Sequence, residues 1–330
     1  MNSPMRGQTS RRNVESCMTR LSAGPDPIKI RFGGYQPERS VHTRAARLLG
    51  EALGKTLGDA IAFLLTPQIT AAGHQAADLL SLTESGDLEM CYFASSYLAG
   101  RVPELGLLDM PFPGTDRARM WRRLDGDVGA RIKAAVAART GYVVLGFWDN
   151  GLRHISNGVR AIRYPSDCAG LSIRTLDNRF HQALFSALGF VPRYLDVKDL
   201  GPAVKDRTID AQENPLTNLV NFDLHKTHRH VSLTGHFHGI ALLLGNAQAI
   251  AGWPVDVREV VMAACAQATA EQRAFAAEED AQCLSILQAD GVEIATPEAI
   301  DLAAFKAAVA GVVASETAAL DPGLLALWNA

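Results

Sequence analysis

Two arginines and an asparagine are the residues whose types and spacing most plainly suggest chemistry. Arg153 stands in GFWDNGLRHISN (146–157), Arg174 in GLSIRTLDNRF (170–180) and Asn214 in IDAQENPLTN (209–218). Both arginines lie in segments that read as short strands rather than amphipathic helices. A guanidinium stays charged at any physiological pH and grips both oxygens of a planar anion from one fork. Rigid forks of this kind suit a small carboxylate. The segment shows no nucleophile paired with a base, so no catalytic residue is assigned and the first inference is binding without chemistry. Arg174 has an internal alternative, an ion pair with Asp210 or Glu213. Arg153 could serve a surface ion pair, and Asn214, held extended by Pro215, could cap a turn instead.

Further candidates stand just past strand ends, where open α/β sheets place ligands: Tyr35, Ser95 and Phe180. Trp148 ends a strand near a domain junction and could stack on a ligand or plug a hinge. His225, His228, His230, His236 and His238 crowd fourteen positions. Alternation at 228/230 and 236/238 could pair imidazoles for zinc, yet no HExxH-type partner accompanies them, so no metal is assigned. His236 is retained as a possible ligand contact. Gly33-Gly34 is not GxGxxG, and Ser95-Ser96 lacks a GxSxG elbow; neither a nucleotide nor any other cofactor is expected.

These residues need a scaffold, and the bulk properties bound it. The chain has 330 residues, 48% hydrophobic and 20% charged, with a net charge of −3. That length implies two domains, and the composition excludes a disordered chain. The charge leaves no electrostatic footprint for nucleic acid. No apolar run approaches the roughly 18 residues of a membrane span, so no direct membrane insertion is expected. The five cysteines form no CxxC and no metal spacing and read as buried small hydrophobes. Residues 1–27 hold Arg6, Arg11 and Arg12 but no apolar h-region. They read as a disordered leader, a misplaced start site or residues added to the natural chain.

Alternating patterns predict strands over 28–32, 60–65, 88–93 and 142–148, separated by helices over 40–53, 70–86 and 117–140. A second unit starts near 151, with strands near 170–174, 193–195 and 211–212 and helices over 178–188 and 200–208. Apolar runs at 231–234 and 239–244 return the chain to the first unit. The span 255–289 carries few breakers and would reach about 52 Å as one helix, long enough to bridge both units. Strand–helix alternation at this pace implies an α/β fold with a mostly parallel sheet. The expected division is 28–150 plus about 240–280, 151–239 plus about 281–316, and a C-terminal tail over 317–330.

Three signatures in order carry a family resemblance: aromatic-Asp-Asn-Gly-x-Arg (148–153), Gly-Leu-x-Ile-Arg (170–174) and Asp-x-Gln-Glu-Asn-Pro (210–215). Pieces at 98–105, 109–112 and 232–236 agree. Over roughly 28–316 the chain resembles the DctP-type solute receptors of tripartite ATP-independent periplasmic (TRAP) transporters. The resemblance implies two α/β domains joined by crossover strands and a long bridging helix, as in periplasmic binding proteins. It implies a cleft in which Arg174 is the main carboxylate clamp, with Arg153 and Asn214 as auxiliary ligands. It further implies a periplasmic receptor that delivers a small organic acid to TRAP permease membrane subunits. Arg160 and Arg163 depart from the family pattern. Two other classes compete: a metal-assisted hydrolase using the 225–238 histidines, and a cytoplasmic ligand sensor.

Overall fold

The computed structural model describes residues 26–329; the readings made for 1–25, Cys17 among them, lie outside the described residues. Nine strands form one sheet: β1 Ile28–Gly33, β2 Ile61–Thr66, β3 Met90–Ala94, β4 Tyr142–Asn157, β5 Ser172–Thr175, β6 Val191–Tyr194, β7 Ala211–Pro215, β8 His230–Asn246 and β9 Glu293–Ala295. Their order is β2-β1-β3-β8-β4-β7-β5-β6, with β9 on β8.

The outer pairs are parallel, as the strand–helix alternation predicts. The centre is not. β4 and β8 run antiparallel through the whole molecule, and each takes an antiparallel neighbour. Separate shorter segments, at 142–148, 231–234 and 239–244, were expected where these two long strands run. The long ladder accommodates the Asp149–Gly151 stretch through register shifts at 144/146, 149/151 and 153/155. Gly151, at φ 85, takes the backbone conformation open to glycine at that crossover.

Two α/β lobes hang from this shared pair of strands. The first buries Ile30, Phe32, Leu49, Met90, Phe147 and Leu243 in one core. Its helix Val41–Leu57 starts where Ser40 Oγ accepts the Thr43 amide at 3.1 Å. The second lobe packs Ile173, Leu184, Phe185, Phe237 and Phe305 together, and a smaller cluster joins Leu200, Leu219 and Leu287. The helix Val255–Ala289 is 35 residues long and unbroken. Val261, Ala264 and Ala268 belong to the first core and Cys283 and Leu287 to the third cluster, so it bridges the lobes. Midway, Gln272 is fully buried and clasps the backbone of one residue of β4. Its Oε1 accepts Asp149 N at 2.7 Å, and its Nε2 donates to Asp149 O at 2.7 Å.

Some helical boundaries differ from the patterns. The span read as 70–86 is a 3-10 turn, Ile69–Ala72, followed by a helix, Asp78–Ser85. The 117–140 span breaks at Gly126 into two helices. The segment read as a C-terminal tail holds the helix Pro322–Asn329, whose Leu324 is buried in the first core. No helix among the described residues is long and apolar enough to cross a membrane.

Candidate binding site between the lobes

The carboxyl ends of β1 and β3 in one lobe face those of β5 and β7 in the other, and a small cavity lies between them. It is lined by Tyr35, Ala76, Phe93, Ala94, Tyr97, Asn150, Arg153, Arg174, Leu176, Val197, Asn214 and Asn218. The lobes meet around it. Gln36 Nε2 donates to Asn218 Oδ1 at 3.1 Å, and Arg39 Nη2 to Asn221 O at 2.8 Å. Ala76 N donates to Asp196 Oδ1 at 3.2 Å, and Asn178 Nδ2 to Ser96 O at 2.9 Å.

Arg153, Asn214 and Arg174 come from the adjacent strands β4, β7 and β5; Arg174 stands across from Gln212, two residues before Asn214, and Arg153 across from Pro215 at the end of β7, all three lining the cavity. Arg174 is 1% exposed. Its Nε donates to Leu195 O at 2.9 Å, and among the described residues it forms no ion pair. Both acids that could have matched it are engaged elsewhere. Asp210 accepts Ser172 N and Oγ at 2.8 and 2.6 Å, and Glu213 takes Arg153. A buried guanidinium without a counter-ion is costly unless an anion meets it.

Arg153 is the opposite case. Its Nε donates to Glu213 Oε2 at 2.5 Å and its Nη2 to Oε1 at 2.7 Å, with both side chains buried. Burial alone would lower the Arg153 pKa, but Glu213 reverses this and raises it. Burial would raise the Glu213 carboxyl, yet Arg153 and His236 hold it well below the ordinary range. The pair is therefore charged on both sides and neutral in sum, and its burial removes the alternative of a surface ion pair for Arg153.

The amides form a relay. Asn218 Nδ2 donates to Asn214 Oδ1 at 3.0 Å, Asn214 Nδ2 to Gln212 Oε1 at 2.6 Å, and Gln212 Nε2 to Ser156 Oγ at 2.6 Å. Asn214 thus lies within a strand, not a turn, and its cavity-side amide is oriented from behind. Asn150 is 2% exposed, and its Oδ1 has no hydrogen-bond partner among the described residues. Opposite stand three aromatics: Tyr35 and Phe93 meet edge-on at 5.3 Å, and Phe93 and Tyr97 lie 4.7 Å apart. Burial pushes the Tyr35 hydroxyl up to about 12, and it stays protonated at neutral pH.

Tyr35, Arg153, Arg174 and Asn214 thus converge as the sequence suggested; four other candidates do not. Trp148 is fully buried in the first core, stacks on Phe32 at 6.4 Å and donates Nε1 to Thr269 Oγ1 at 3.1 Å. Its bulk plugs the crossover and does not line the cavity. Phe180 is buried in the second core, against a separate groove with Asp109 and Glu316. Ser95 is buried beside the lining residue Ala94 but lies outside the cavity. His236 sits behind the site, against Glu213 at 3.3 Å and Thr234 Oγ1 at 2.7 Å.

The other histidines disperse: His225 to Asp290, His228 to Ser156, His230 to Glu293 and His238 to Asp149. Among the described residues no group of three or more His, Cys, Asp or Glu could hold a metal ion. The extra arginine Arg160 has a structural task, donating to Asp167 O and Ala169 O at 2.8 Å. Sequence reasoning did not single out Tyr97, Phe93, Asn218 or Asn150 as lining residues. Asn218 follows Asn214 by four residues, and the two amides meet where β7 gives way to the helix Leu216–Asn221.

Residues 32–319 match the family model described as bacterial extracellular solute-binding protein, family 7, DctP. A solute-binding protein of Verminephrobacter eiseniae is 32% identical over 227 residues, 69% of this chain and 67% of that protein. The 2,3-diketo-L-gulonate-binding periplasmic protein YiaO of Escherichia coli is 28% identical over 284 residues, 86% of this chain and 85% of YiaO. Among solved structures, the sugar acid binding protein DctPAm of Advenella mimigardefordensis, in complex with galactonate, superposes with a TM-score of 0.86 at 24% identity. That match covers 92% of this chain and 98% of DctPAm. Fold, signatures and family match agree: the chain belongs to the DctP family of solute-binding proteins that serve TRAP transporters.

Proposed function

We propose that this protein is a periplasmic receptor that closes on a small organic acid and presents it to the membrane subunits of a TRAP permease. One observation carries the reading: Arg174 faces an interlobe cavity as a buried guanidinium with no ion-pair partner among the described residues. A ligand carboxylate supplies the missing charge, and Asn214 and the Arg153–Glu213 pair frame it. The two closing bodies are taken as 28–150 with about 240–280, and 151–239 with about 281–316. They rotate about the crossover near Gly151, and the ligand favours the closed form through contacts to both lobes. The names of YiaO and DctPAm, which report a diketogulonate and a sugar acid, support an acid as the guest.

One charge-assisted hydrogen bond contributes about 1.5–3 kcal/mol, whereas micromolar affinity needs about 8 kcal/mol. The amides and the exclusion of water on closure must therefore provide most of the binding. A thermal-shift screen of small carboxylates without added metal tests the proposal. A true ligand at a hundredfold excess over Kd stabilises by about 2.7 kcal/mol. A screen in which no acid raises Tm, while zinc does, would reject it.

A further inference from the structure

Resting on the lobe closure proposed above, we infer that Asn178, which does not line the cavity, is a positioning residue: it clasps the lobes shut and so sets how long a bound acid is retained. Asn178 is 8% exposed and stands at the start of the second lobe's helix Arg179–Ala187. Its two amide atoms serve different lobes. Oδ1 accepts His181 N at 3.0 Å and caps that helix, whose Phe180, Leu184 and Phe185 lie in the second core. Nδ2 donates to Ser96 O at 2.9 Å and lies 3.3 Å from Asp109 Oδ2. Both of these partners belong to segments whose Leu98, Leu105 and Leu108 are buried in the first core.

The receiving side is held ready. Ser96 and Asp109 are buried, and Ser96 Oγ donates to Asp109 Oδ1 at 2.7 Å. Asp109 Oδ2 is left to the second lobe, where His181 Nε2 also stands at 3.3 Å. Asn178, Ser96, Asp109 and His181 are all absent from the cavity wall, yet they are tied to it. Ser96 lies between the lining residues Ala94 and Tyr97, and Asn178 follows Leu176 by two residues and Arg174 by four. The clasp therefore fixes the spacing between the Arg174 strand and the aromatic wall. A contact made only when the lobes meet favours the closed state and slows release without touching the guest.

Stopped-flow binding to the full chain, with galactonate, 2,3-diketogulonate and succinate as probes, tests this on Asn178→Asp. Aspartate caps a helix as well as asparagine does, but it has no donor for Ser96 O and sets a second carboxylate against Asp109. For each probe that binds the wild type, dissociation should quicken by about tenfold or more, with association and the ligand-free urea midpoint unchanged. Adding Asp109→Asn returns a donor to the pair and should restore slow dissociation. An unchanged dissociation rate overturns the clasp. So does a faster one matched by a fall in the ligand-free midpoint, or one that Asp109→Asn leaves uncorrected. If Asn178→Asp does not fold, Asn178→Ser takes its place, since serine also caps but is too short to reach Ser96 O; unchanged dissociation there overturns the clasp equally. If no probe binds the wild type, the carboxylate reading falls, and solution scattering of the ligand-free protein decides the clasp. The substituted protein should then have the larger radius of gyration, and equal radii overturn the inference.

Discussion

Glu213 closes on Arg153 with both oxygens, at 2.5 and 2.7 Å, across the β4–β7 ladder, while Arg174 one strand further on meets no acid. Two guanidiniums that look alike in sequence thus have opposite tasks. One is part of the sheet's internal structure, and the other, the clamp proposed above, is buried with no counter-ion among the described residues.

Arg174→Lys should weaken binding of a cognate acid at least tenfold in calorimetry. A point charge cannot reproduce the planar fork, and its stem would not reach Leu195 O in the same way. Affinity unchanged from wild type would remove Arg174 as the clamp.

Glu213→Ala should destabilise the fold far more than a surface change, by about 3–5 kcal/mol, because it leaves Arg153 buried without its counter-charge. Urea unfolding provides the measurement. Arg153→Met combined with Glu213→Leu should recover much of the loss, since a neutral pair replaces a neutral pair. A single substitution as mild as surface changes would mean that the pair is hydrated and weak.

Acid should erode stability well before the carboxylates protonate. His42 is fully buried against Tyr92, at 4.8 Å between rings, and burial lowers its pKa to about 3. His228 is lowered to about 4 for the same reason. Both are neutral in the fold where an unfolded imidazole, with a pKa of about 6.5, takes a proton. Their stabilising effect is complete above pH 6.5 and is lost as pH falls toward 4 for His228 and toward 3 for His42. The slope approaches about 1.4 kcal/mol per pH unit for each histidine. Melting curves between pH 7 and pH 4 check the sign, and His42→Phe should flatten the decline.

Gln272→Ala removes both hydrogen bonds to the Asp149 backbone and leaves a buried N–H and C=O unmatched at the crossover. Each such group costs about 1–3 kcal/mol, so a fall of at least about 2 kcal/mol is expected in denaturant unfolding. A smaller fall would show that water replaces the side chain.

What was legible in the sequence follows from locality. The helix Val255–Ala289 could be read because it lacks breakers along its whole length. Arg174 and Asn214 could be read because their strands carry compact signatures. Which acid pairs with which arginine depends on strand order, and β7 lying between β4 and β5 is not written in either segment. Trp148 failed for a related reason: a strand alternates faces, and a residue at a domain junction can point into a core as readily as into a cleft. Tyr97 and Phe93 were missed because only the approach of the second lobe makes their surface concave.

The amide relay has an effect that reaches past the cavity wall. Asn218 turns its nitrogen toward Asn214 because Gln36, on the other lobe, occupies its oxygen. Whatever parts Gln36 from Asn218 also releases the orientation of every amide behind it, as far as Ser156 and the His228 ring. The pattern of donors and acceptors that a guest meets is therefore written in the act of shutting. In the closure proposed above, discrimination between similar acids is thus set by the contact between Gln36 and Asn218 as much as by the residues a guest touches.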